Sequence, residues 1–392
     1  MNKKLNIVHV VGELDPNDLG GAEIHIVEVI RELLRRGHNL HLFVGADDSC
    51  KCLFPFENVK VYPVKYPAIK NLRSFIFAKA ARREVLKFLK THPEIDLVHS
   101  KQVFPQGLAG TKICKKTGLP HYLTVQNPLA YIEELVLQIP LLPRFVNQVM
   151  QNVLKPLAKK ALRGADVIAC VSTYSEGRSL AMVPGLKSEI VPNGVDTEKF
   201  SPSKQEKNMD AGSVRLCTTS TLIPRNGIDT LIRGFALVAK KHSGAHLDIA
   251  GQGPLEADLR KLVKDLDVEK QVTFLGTIKH EEVPALLRKS HLFVRPSRAE
   301  GFGVSFVEAM ACGVPVVTCP SGGIIDFVKN GETGMLVLPD EPEKLAEAIL
   351  QVIENPDLYQ NLTKNSLELV RKQYQWNCIV DQVENLYYRL TS

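Results

Sequence analysis

The sequence has little of what marks secreted, membrane-spanning or zinc-clustered proteins. Its 392 residues include one tryptophan and eight cysteines, of which only Cys50 and Cys52 lie close together, and no C-x-x-C pair occurs. This spacing argues against a cysteine zinc site, and a disulfide framework is not expected in a chain of this length. No apolar run reaches about 18 residues, so no transmembrane helix is expected.

The first residues carry no recognisable export signal. MNKK is followed at once by LNIVHVVG, an apolar run too short for a signal peptide and typical of a first strand. Cys170 and Cys312 lie inside apolar runs, where cysteine behaves as a small core residue. We therefore expect a reducing, cytoplasmic location.

The charge balance is mildly basic, at +6 with a pI of about 8.8, and no long Lys/Arg tail is present. A normal solvated surface and an anionic partner both remain open. No nucleic-acid partner is expected, because no basic repeat is interleaved with aromatic residues.

Strand-like apolar runs alternate with amphipathic helical stretches in both halves. The first half predicts strands at 5–11, 39–44, 96–99 and 121–125 and helices at 22–36, 75–90 and 108–117. The second half predicts strands at 215–220, 246–250, 272–276, 292–295 and 314–318 and helices at 228–241, 254–266, 281–289, 305–311 and 343–355. This alternation predicts an α/β protein with two Rossmann-like, doubly wound parallel sheets.

The best linker candidate is the polar stretch 191–213, rich in Pro, Asn, Gly and Ser. We predict one domain over 1–195 and a second over 196–375, with a C-terminal helix at 376–392 packing back on the first. The two sheets are expected to face a central cleft with the carboxyl ends of their strands.

Three glycine-containing turns follow predicted strands. Gly20-Gly21 opens a helix, where free N–H groups suit an anion, although taken alone such a start is mostly a plain turn. Gly251 lies in a turn of either structural or phosphate-binding character. The third turn, 297–303, holds Glu300 and leads into a helix carrying Glu308. Carboxylates accept hydrogen bonds from sugar hydroxyls, but they also merely cap and solvate helices.

The segment EGFGVSFVEAMACGVPVV, from Glu300 to Val317, and the following SGGIIDFVKNGETGMLV resemble family-4 retaining glycosyltransferases of the GT-B fold. GGAE at 20–23, VPNGVD at 191–196, FLG at 274–276 and the pair Tyr374 and Trp376 occur in the same order in that family. The resemblance spans essentially the whole chain.

The resemblance implies a nucleotide-diphosphate sugar donor, no cofactor and no metal. Glu308 would hold the ribose, and catalytic Glu300 would hold hydroxyls of the transferred sugar. The backbone around Phe302, Gly303 and Val304 would hold sugar and diphosphate, and Gly20 and Gly21 would approach the diphosphate from the first domain. Asp265-Leu266-Asp267, the one D-x-D, is interpreted as helix surface.

Two departures from the family pattern concern the phosphates and the first domain. The usual Arg and Lys positions hold Thr221 and Asn226, so Ser220 and Arg225 are predicted to contact the donor instead. Gln126 stands where the family has His. Gln126 can bond a sugar hydroxyl but cannot act as a base. His99 is a nearby candidate that is also explained as a structural residue.

The resemblance predicts a retaining hexosyltransferase that acts on a hydroxyl of a glycan or lipid-linked acceptor. A nucleotide-sugar-binding pseudoenzyme and a nucleotide-sugar epimerase are alternatives, and a nicotinamide dehydrogenase is disfavoured because its glycine fingerprint is missing. Two cationic amphipathic stretches, 71–90 and 141–163, are interpreted either as helices packed on the sheet or as a peripheral contact with anionic lipid.

Overall fold

A computed structural model describes residues 3–12, 14, 20–46, 59–67, 69, 72–127, 144–203 and 214–392, the side chains of 144–151 excepted. The chain divides into two compact units. Unit 1 comprises Met1–Pro192 with Ile379–Ser392, and unit 2 comprises Asn193–Cys378. The predicted boundaries after residues 195 and 375 lie a few residues from these divisions.

Unit 1 is built on a parallel sheet of seven strands. Its elements are β1 (Asn6–Val11), α1 (Gly21–Arg35), β2 (Asn39–Ala46), β3 (Lys60–Lys65), α2 (Arg73–Leu89), β4 (Leu97–Lys101), α3 (Leu108–Thr117), β5 (His121–Val125), α4 (Arg144–Arg163), β6 (Val167–Cys170), α5 (Thr173–Met182) and β7 (Glu189–Ile190). The strand order is β3-β2-β1-β4-β5-β6-β7. β4 and β5 are buried along their whole length, as expected for a parallel sheet covered on both faces.

The last helix, α12 (Trp376–Thr391), crosses the division at residue 378 and covers unit 1 with its later residues. Tyr387 is fully buried, and its hydroxyl pairs with Nδ1 of His99 on β4. The carboxylate of Glu384 lies 2.7 Å from Nε2 of His38 and also pairs with Arg36. These contacts join residues more than 280 positions apart in the chain.

Unit 2 is built on a parallel sheet of six strands, ordered β10-β9-β8-β11-β12-β13. Its elements are β8 (Arg215–Thr219), α6 (Ile228–Lys241), β9 (His246–Ala250), α7 (Glu256–Asp265), β10 (Val272–Gly276), α8 (Val283–Lys289), β11 (Leu292–Arg295), α9 (Val304–Ala311), β12 (Val316–Thr318), β13 (Met335–Leu336), α10 (Pro342–Ile353) and α11 (Pro356–Leu369). The predicted α/β class and doubly wound parallel sheets are confirmed.

Each sheet reverses its strand order at one place, between β1 and β4 in unit 1 and between β8 and β11 in unit 2. In such sheets ligands bind beside the carboxyl ends of the strands at the reversal. Within the described ranges, no helix combines the length and apolar character needed to cross a bilayer.

Candidate active site

The loop of residues 296–303, here the β11–α9 loop, follows the carboxyl end of β11 at the strand-order reversal of unit 2. Gly303 ends the loop with φ of 93°, and a Cβ there would lie 2.7 Å from the ring of Phe306. Both facts require glycine. α9 then begins with no side-chain cap. The N–H of Phe306 bonds back to the carbonyl of Gly303, whereas the N–H groups before it have no place in the i to i−4 pattern of the helix and point out of its start. Such a helix start is suited to an anion.

Glu300 is held in the β11–α9 loop by a buried arginine. Nη2 of Arg295 donates to Oε2 of Glu300 over 2.6 Å, and the N–H of Gly301 donates to Oε1 over 3.0 Å. Each carboxylate oxygen therefore has one partner and retains room to accept another bond. The orientation of Glu300 is fixed before any ligand arrives.

Arg295 links the two strands that flank the reversal. Its Nη1 donates to the carbonyl of Thr219, at the end of β8, over 3.0 Å and to Oγ of Ser305 over 2.9 Å. Its guanidinium also lies 4.4 Å from the ring centre of Phe306. Burial lowers the pKa of Arg295, whereas the Glu300 carboxylate opposes that shift. A buried guanidinium with this many partners is held in place as a positive charge next to Glu300.

Residues 321–323, which follow β12, form hydrogen bonds with the β11–α9 loop. Oγ of Ser321 donates to the carbonyl of Ser297 over 2.6 Å, and the N–H of Gly323 donates to the carbonyl of Glu300 over 3.2 Å. A Cβ on Gly322 would lie 1.6 Å from that same carbonyl oxygen. Glycine is required there by close backbone packing.

Glu308 lies on α9 and is 5% exposed. Its Oε1 pairs with Nε2 of His280 over 2.7 Å, and Nδ1 of His280 lies 2.9 Å from Nζ of Lys199. The second carboxyl oxygen of Glu308 has no bond to any other side chain of the described residues.

The turn after β8 contains Thr221 and Asn226, the two residues at the positions where an Arg and a Lys are usual. Asn226 is buried, and its Nδ2 donates to the carbonyl of Thr221 over 2.7 Å, so it closes the turn. Arg225 is exposed, and its charge contributes to lowering the pKa of Arg295, which places it beside the site. Oγ of Ser220 is buried, and no described residue bonds to it.

Arg298 fastens the β11–α9 loop to that turn. Its N–H donates to the carbonyl of Arg225 over 2.7 Å. Its guanidinium donates two hydrogen bonds to Asp229, of 3.0 and 2.7 Å, and one of 2.7 Å to Asp340. The Asp229 carboxylate is the main reason that the pKa of Arg298 is raised. The two segments that flank the reversal are therefore held as one piece.

The turn at Gly251 has a structural explanation. Gly251 has φ of 132°, and a Cβ there would lie 1.8 Å from the carbonyl oxygen of Ser220. A Cβ on Gly253 would lie 2.4 Å from the carbonyl of Leu222. Of the two interpretations that the sequence left open, close backbone packing accounts for both glycines without a ligand.

Phe302 contributes its ring to the interior. It is 3% exposed and packs against Phe327 and Tyr374, with ring centres 5.3 and 6.0 Å away. Its side chain is therefore committed to the interior, which leaves only its backbone available to a ligand. Asp265 and Asp267 are exposed at the end of α7, as their interpretation as surface requires.

The predicted residues of unit 1 lie before α1, after β5 and within β4. Gly20 is the extended residue before α1, with no side-chain cap, and Gly21 begins that helix. Gln126 follows β5 directly and is half-buried. His99 is fully buried between Tyr387 and Thr124, whose Oγ1 lies 2.7 Å from its Nε2. Burial lowers the pKa of His99 well below its usual value, which favours the structural interpretation.

The structure thus brings Ser220, Arg225, Gly251, Glu300, Phe302, Gly303, Val304 and Glu308 together in unit 2. Sequence reasoning missed Arg295, Arg298, His280 and Lys199. Only Arg295 offered a signal, as a cation that ends an otherwise apolar strand. Among the described residues, no group of three or more His, Cys, Asp or Glu side chains is placed to hold a metal ion.

Two family models match consecutive parts of the chain. Glycosyltransferase Family 4 matches residues 19–199, and Glycosyl transferases group 1 matches residues 200–368. The chain belongs to the family-4, group 1 glycosyltransferases. The family predicted from the Glu300–Val317 segment is confirmed.

Individual relatives agree with this assignment. The chain is 33% identical over 242 residues to a GDP-mannose-dependent alpha-(1-6)-phosphatidylinositol monomannoside mannosyltransferase of Mycobacterium tuberculosis, a match covering 57% of this chain and 63% of that relative. The chain thus spans under two thirds of that relative's length. An uncharacterized glycosyltransferase of Methanocaldococcus jannaschii is 27% identical over 376 residues, 95% of either chain. The structure of Anabaena HepE in complex with UDP, 20% identical, matches with a TM-score of 0.77 over 98% of this chain and 100% of that chain, which shows the GT-B fold.

Proposed function

We propose that this family member is a retaining, metal-independent glycosyltransferase that moves a hexose from a nucleotide-diphosphate sugar to a hydroxyl of a glycan or lipid-linked acceptor. The observation that carries the proposal is the start of α9. There two oriented carboxylates, Glu300 and Glu308, flank an uncapped helix N-terminus. Carboxylates suit hydroxyl donors, and the helix start suits a diphosphate.

Each part of the donor is assigned to different residues of the β11–α9 loop and α9. Glu308 accepts from the ribose, and Glu300 accepts from hydroxyls of the transferred sugar. The diphosphate takes hydrogen bonds from the backbone of Phe302, Gly303 and Val304 and from Oγ of Ser220. The exposed guanidinium of Arg225 stabilises the charge that develops as the diphosphate leaves, a role that a metal ion serves in other enzymes.

We propose retention because the resemblance implies it and because Gln126, at the usual histidine position, cannot take a proton. In this proposal Gln126 bonds a sugar hydroxyl, and the leaving phosphate takes the acceptor's proton. The related mycobacterial protein is named for GDP-mannose and a phosphatidylinositol glycolipid, and the related Anabaena structure holds UDP. Both names support a nucleotide-sugar donor, and the first supports a lipid-linked acceptor.

A lipid-linked acceptor implies peripheral contact with the cytoplasmic membrane face. Burial, and after it the charges of Lys160 and Arg82, lower the pKa of Lys112 on α3, so these three cations form a positive group. Ile69 and Leu72, just before α2, are 51% and 52% exposed. Clustered cations and exposed apolar side chains are both features that suit an anionic lipid surface. Flotation with vesicles of phosphatidylcholine and phosphatidylglycerol at low salt tests this, and Lys112→Glu should weaken it. Equal recovery with phosphatidylcholine alone contradicts it.

The donor proposal is tested in two steps. A thermal-shift screen of nucleoside diphosphates and nucleotide sugars identifies the nucleotide, since a ligand at about 100 times its dissociation constant adds about 2.7 kcal/mol. Turnover of the matching nucleotide sugar with glycan and glycolipid acceptors is then compared between wild type and Glu300→Gln. We expect product with the anomeric configuration of the donor, lost in the variant. Product of inverted configuration contradicts retention.

A second candidate, a nucleotide-sugar-binding pseudoenzyme, is favoured by one observation. Asn226 closes a turn where the family has a phosphate-binding lysine, so the site has one cation fewer for the leaving group. This candidate predicts donor binding that depends on Glu308 but no transfer to any acceptor. Measurable turnover by the wild-type protein excludes it.

A further inference from the structure

A line of three side chains leads to the buried end of the proposed donor site. Nζ of Lys199 lies 2.9 Å from Nδ1 of His280, and Nε2 of His280 lies 2.7 Å from Oε1 of Glu308. The His280 ring also packs on Phe200, with ring centres 5.3 Å apart. Among the described residues no hydrogen bond joins this line to the Arg295 anchor that holds Glu300, although the charge of Glu308 acts to raise the pKa of Arg295.

The hydrogen-bond directions along this line are determined by lysine. An ammonium group only donates, so Nδ1 of His280 accepts from Lys199. The imidazole hydrogen is then on Nε2 and donates to Oε1 of Glu308. The heavy-atom positions thereby assign one tautomer to His280, with Nε2 as the donor to Glu308.

Lys199 is itself held by the turn that opens unit 2. Oδ1 of Asp196 accepts from the N–H groups of Glu198 and Lys199 over 3.0 and 3.1 Å, and the carbonyl of Asp196 accepts from the N–H of Phe200 over 2.8 Å. Phe200 is 1% exposed, which anchors the end of the turn. The VPNGVD segment therefore has a structural connection to Glu308 through Lys199 and His280.

The consequence lies in the orientation of the carboxylate. With Oε1 committed to His280, the plane of the Glu308 carboxylate is set, and the other oxygen has no side-chain partner among the described residues. A carboxylate held in one plane makes two directed bonds to adjacent hydroxyls, whereas a freely rotating one must lose that freedom on binding. Preorganisation of this kind affects ligands that carry the hydroxyls and leaves others unaffected.

We propose that His280, fixed by Lys199, is a positioning residue that orients Glu308 toward the two adjacent ribose hydroxyls of the donor, and that this line of groups makes the site selective for ribonucleotides. The proposal rests on the nucleotide-sugar function proposed above. It adds a specificity determinant outside the segment from Glu300 to Glu308. This determinant is contributed by the start of unit 2 and by the residues between β10 and α8.

Calorimetric titration with GDP and UDP, each against its 2′,3′-dideoxy analogue, tests the proposal. His280→Ala should weaken binding of the preferred ribonucleotide about tenfold, the usual effect of losing one bond to a charged group. Binding of the dideoxy analogue, measured by competition at millimolar concentration, should change less than twofold. His280→Gln, which can accept from Lys199 and donate to Glu308, should restore most of the difference, and His280→Phe, which keeps the ring against Phe200, should not.

His242→Ala is the matched control. Nε2 of His242 lies 2.9 Å from Oε1 of Glu354, another His–Glu pair at the C-terminal end of α6, and its loss should leave both affinities unchanged. Equal weakening of the ribonucleotide and dideoxy ligands in His280→Ala overturns the proposal, as does no weakening of either. If the wild-type protein binds no nucleoside diphosphate, the proposed function itself fails. Binding that is indifferent to His280 refutes only this inference.

Discussion

Replacement of Arg295 by methionine tests whether the buried arginine holds the Glu300 end of the site. Methionine keeps most of the length and apolar stem, but it removes the bonds to Thr219 and Ser305 and leaves the Glu300 carboxylate without its cation. Removing one partner of a buried ion pair costs about 3–5 kcal/mol. Because the Glu300 side chain is 20% exposed, we expect the lower end, about 3 kcal/mol.

The pairwise contribution is isolated by adding Glu300→Gln. That change alone leaves a buried guanidinium facing a neutral amide and should cost about 1.5–3 kcal/mol. The double variant buries no unpaired charge, so its loss should fall short of the sum of the two single losses by about 2 kcal/mol. Both single variants should also lose donor turnover, since Glu300 is either misplaced or neutral.

Hydrogen exchange read by mass spectrometry over residues 304–311 is the appropriate assay, because a chain with two compact units has no single free energy of unfolding. The control is Lys261→Met on α7, which breaks an exposed pair with Asp265 and should cost at most about 1 kcal/mol. Additive losses of Arg295→Met and Glu300→Gln, within about 0.5 kcal/mol, would show that the two side chains act independently and would refute the reasoning.

Three further outcomes are expected. Burial lowers the pKa of Lys101 to about 7, so the folded state releases a proton that the unfolded state keeps up to about pH 10, and stability should rise with pH across that window. Lys101→Met should therefore add about 4 kcal/mol at pH 7 but only about 1 kcal/mol at pH 9.5, and an equal gain in thermal stability at both pH values contradicts this assignment. Gly322→Ala, whose Cβ would lie 1.6 Å from the Glu300 carbonyl, should destabilise unit 2 by more than about 3 kcal/mol, measured by hydrogen exchange. Gly331 has a similar φ of 73° but open space around it, so Gly331→Ala should cost only about 1–2 kcal/mol. Equal losses in the two variants would disprove the packing argument. Asp229→Asn, which weakens the Arg298 clamp, should reduce nucleoside-diphosphate affinity about fivefold in calorimetry, and an unchanged affinity would show that the clamp does not order the site.

Much of the fold follows from local pattern. Buried parallel strands are nearly continuous apolar runs, and Leu292–Arg295 and His246–Ala250 are found at their predicted residues. The strand Lys60–Lys65 was not predicted, because KVYPVK contains proline and exposed lysines, as an edge strand tolerates. The two-residue strands β7 and β13 are too short to give a periodic signal.

The site was predictable only as far as the motif reaches. Glu300 and Glu308 are visible in the sequence because their segment is long and specific, yet nothing in it identifies their partners. Arg295 and His280 act through contacts that exist only after folding, and histidine at 280 stands in the ordinary charged stretch KHEE. For Asn226 the sequence shows only that a cation is missing at this position. The structure adds what replaces it, an amide that closes the turn after β8.

The proposed function depends on a nucleoside diphosphate binding at the start of α9. A crystal structure with the nucleoside diphosphate that gives the largest thermal shift is the decisive measurement. We expect diphosphate oxygens on the N–H groups of Gly303 and Val304, ribose hydroxyls on Glu308 and the guanidinium of Arg225 turned toward the phosphates. A nucleotide bound away from α9, or one whose ribose does not contact Glu308, would contradict it.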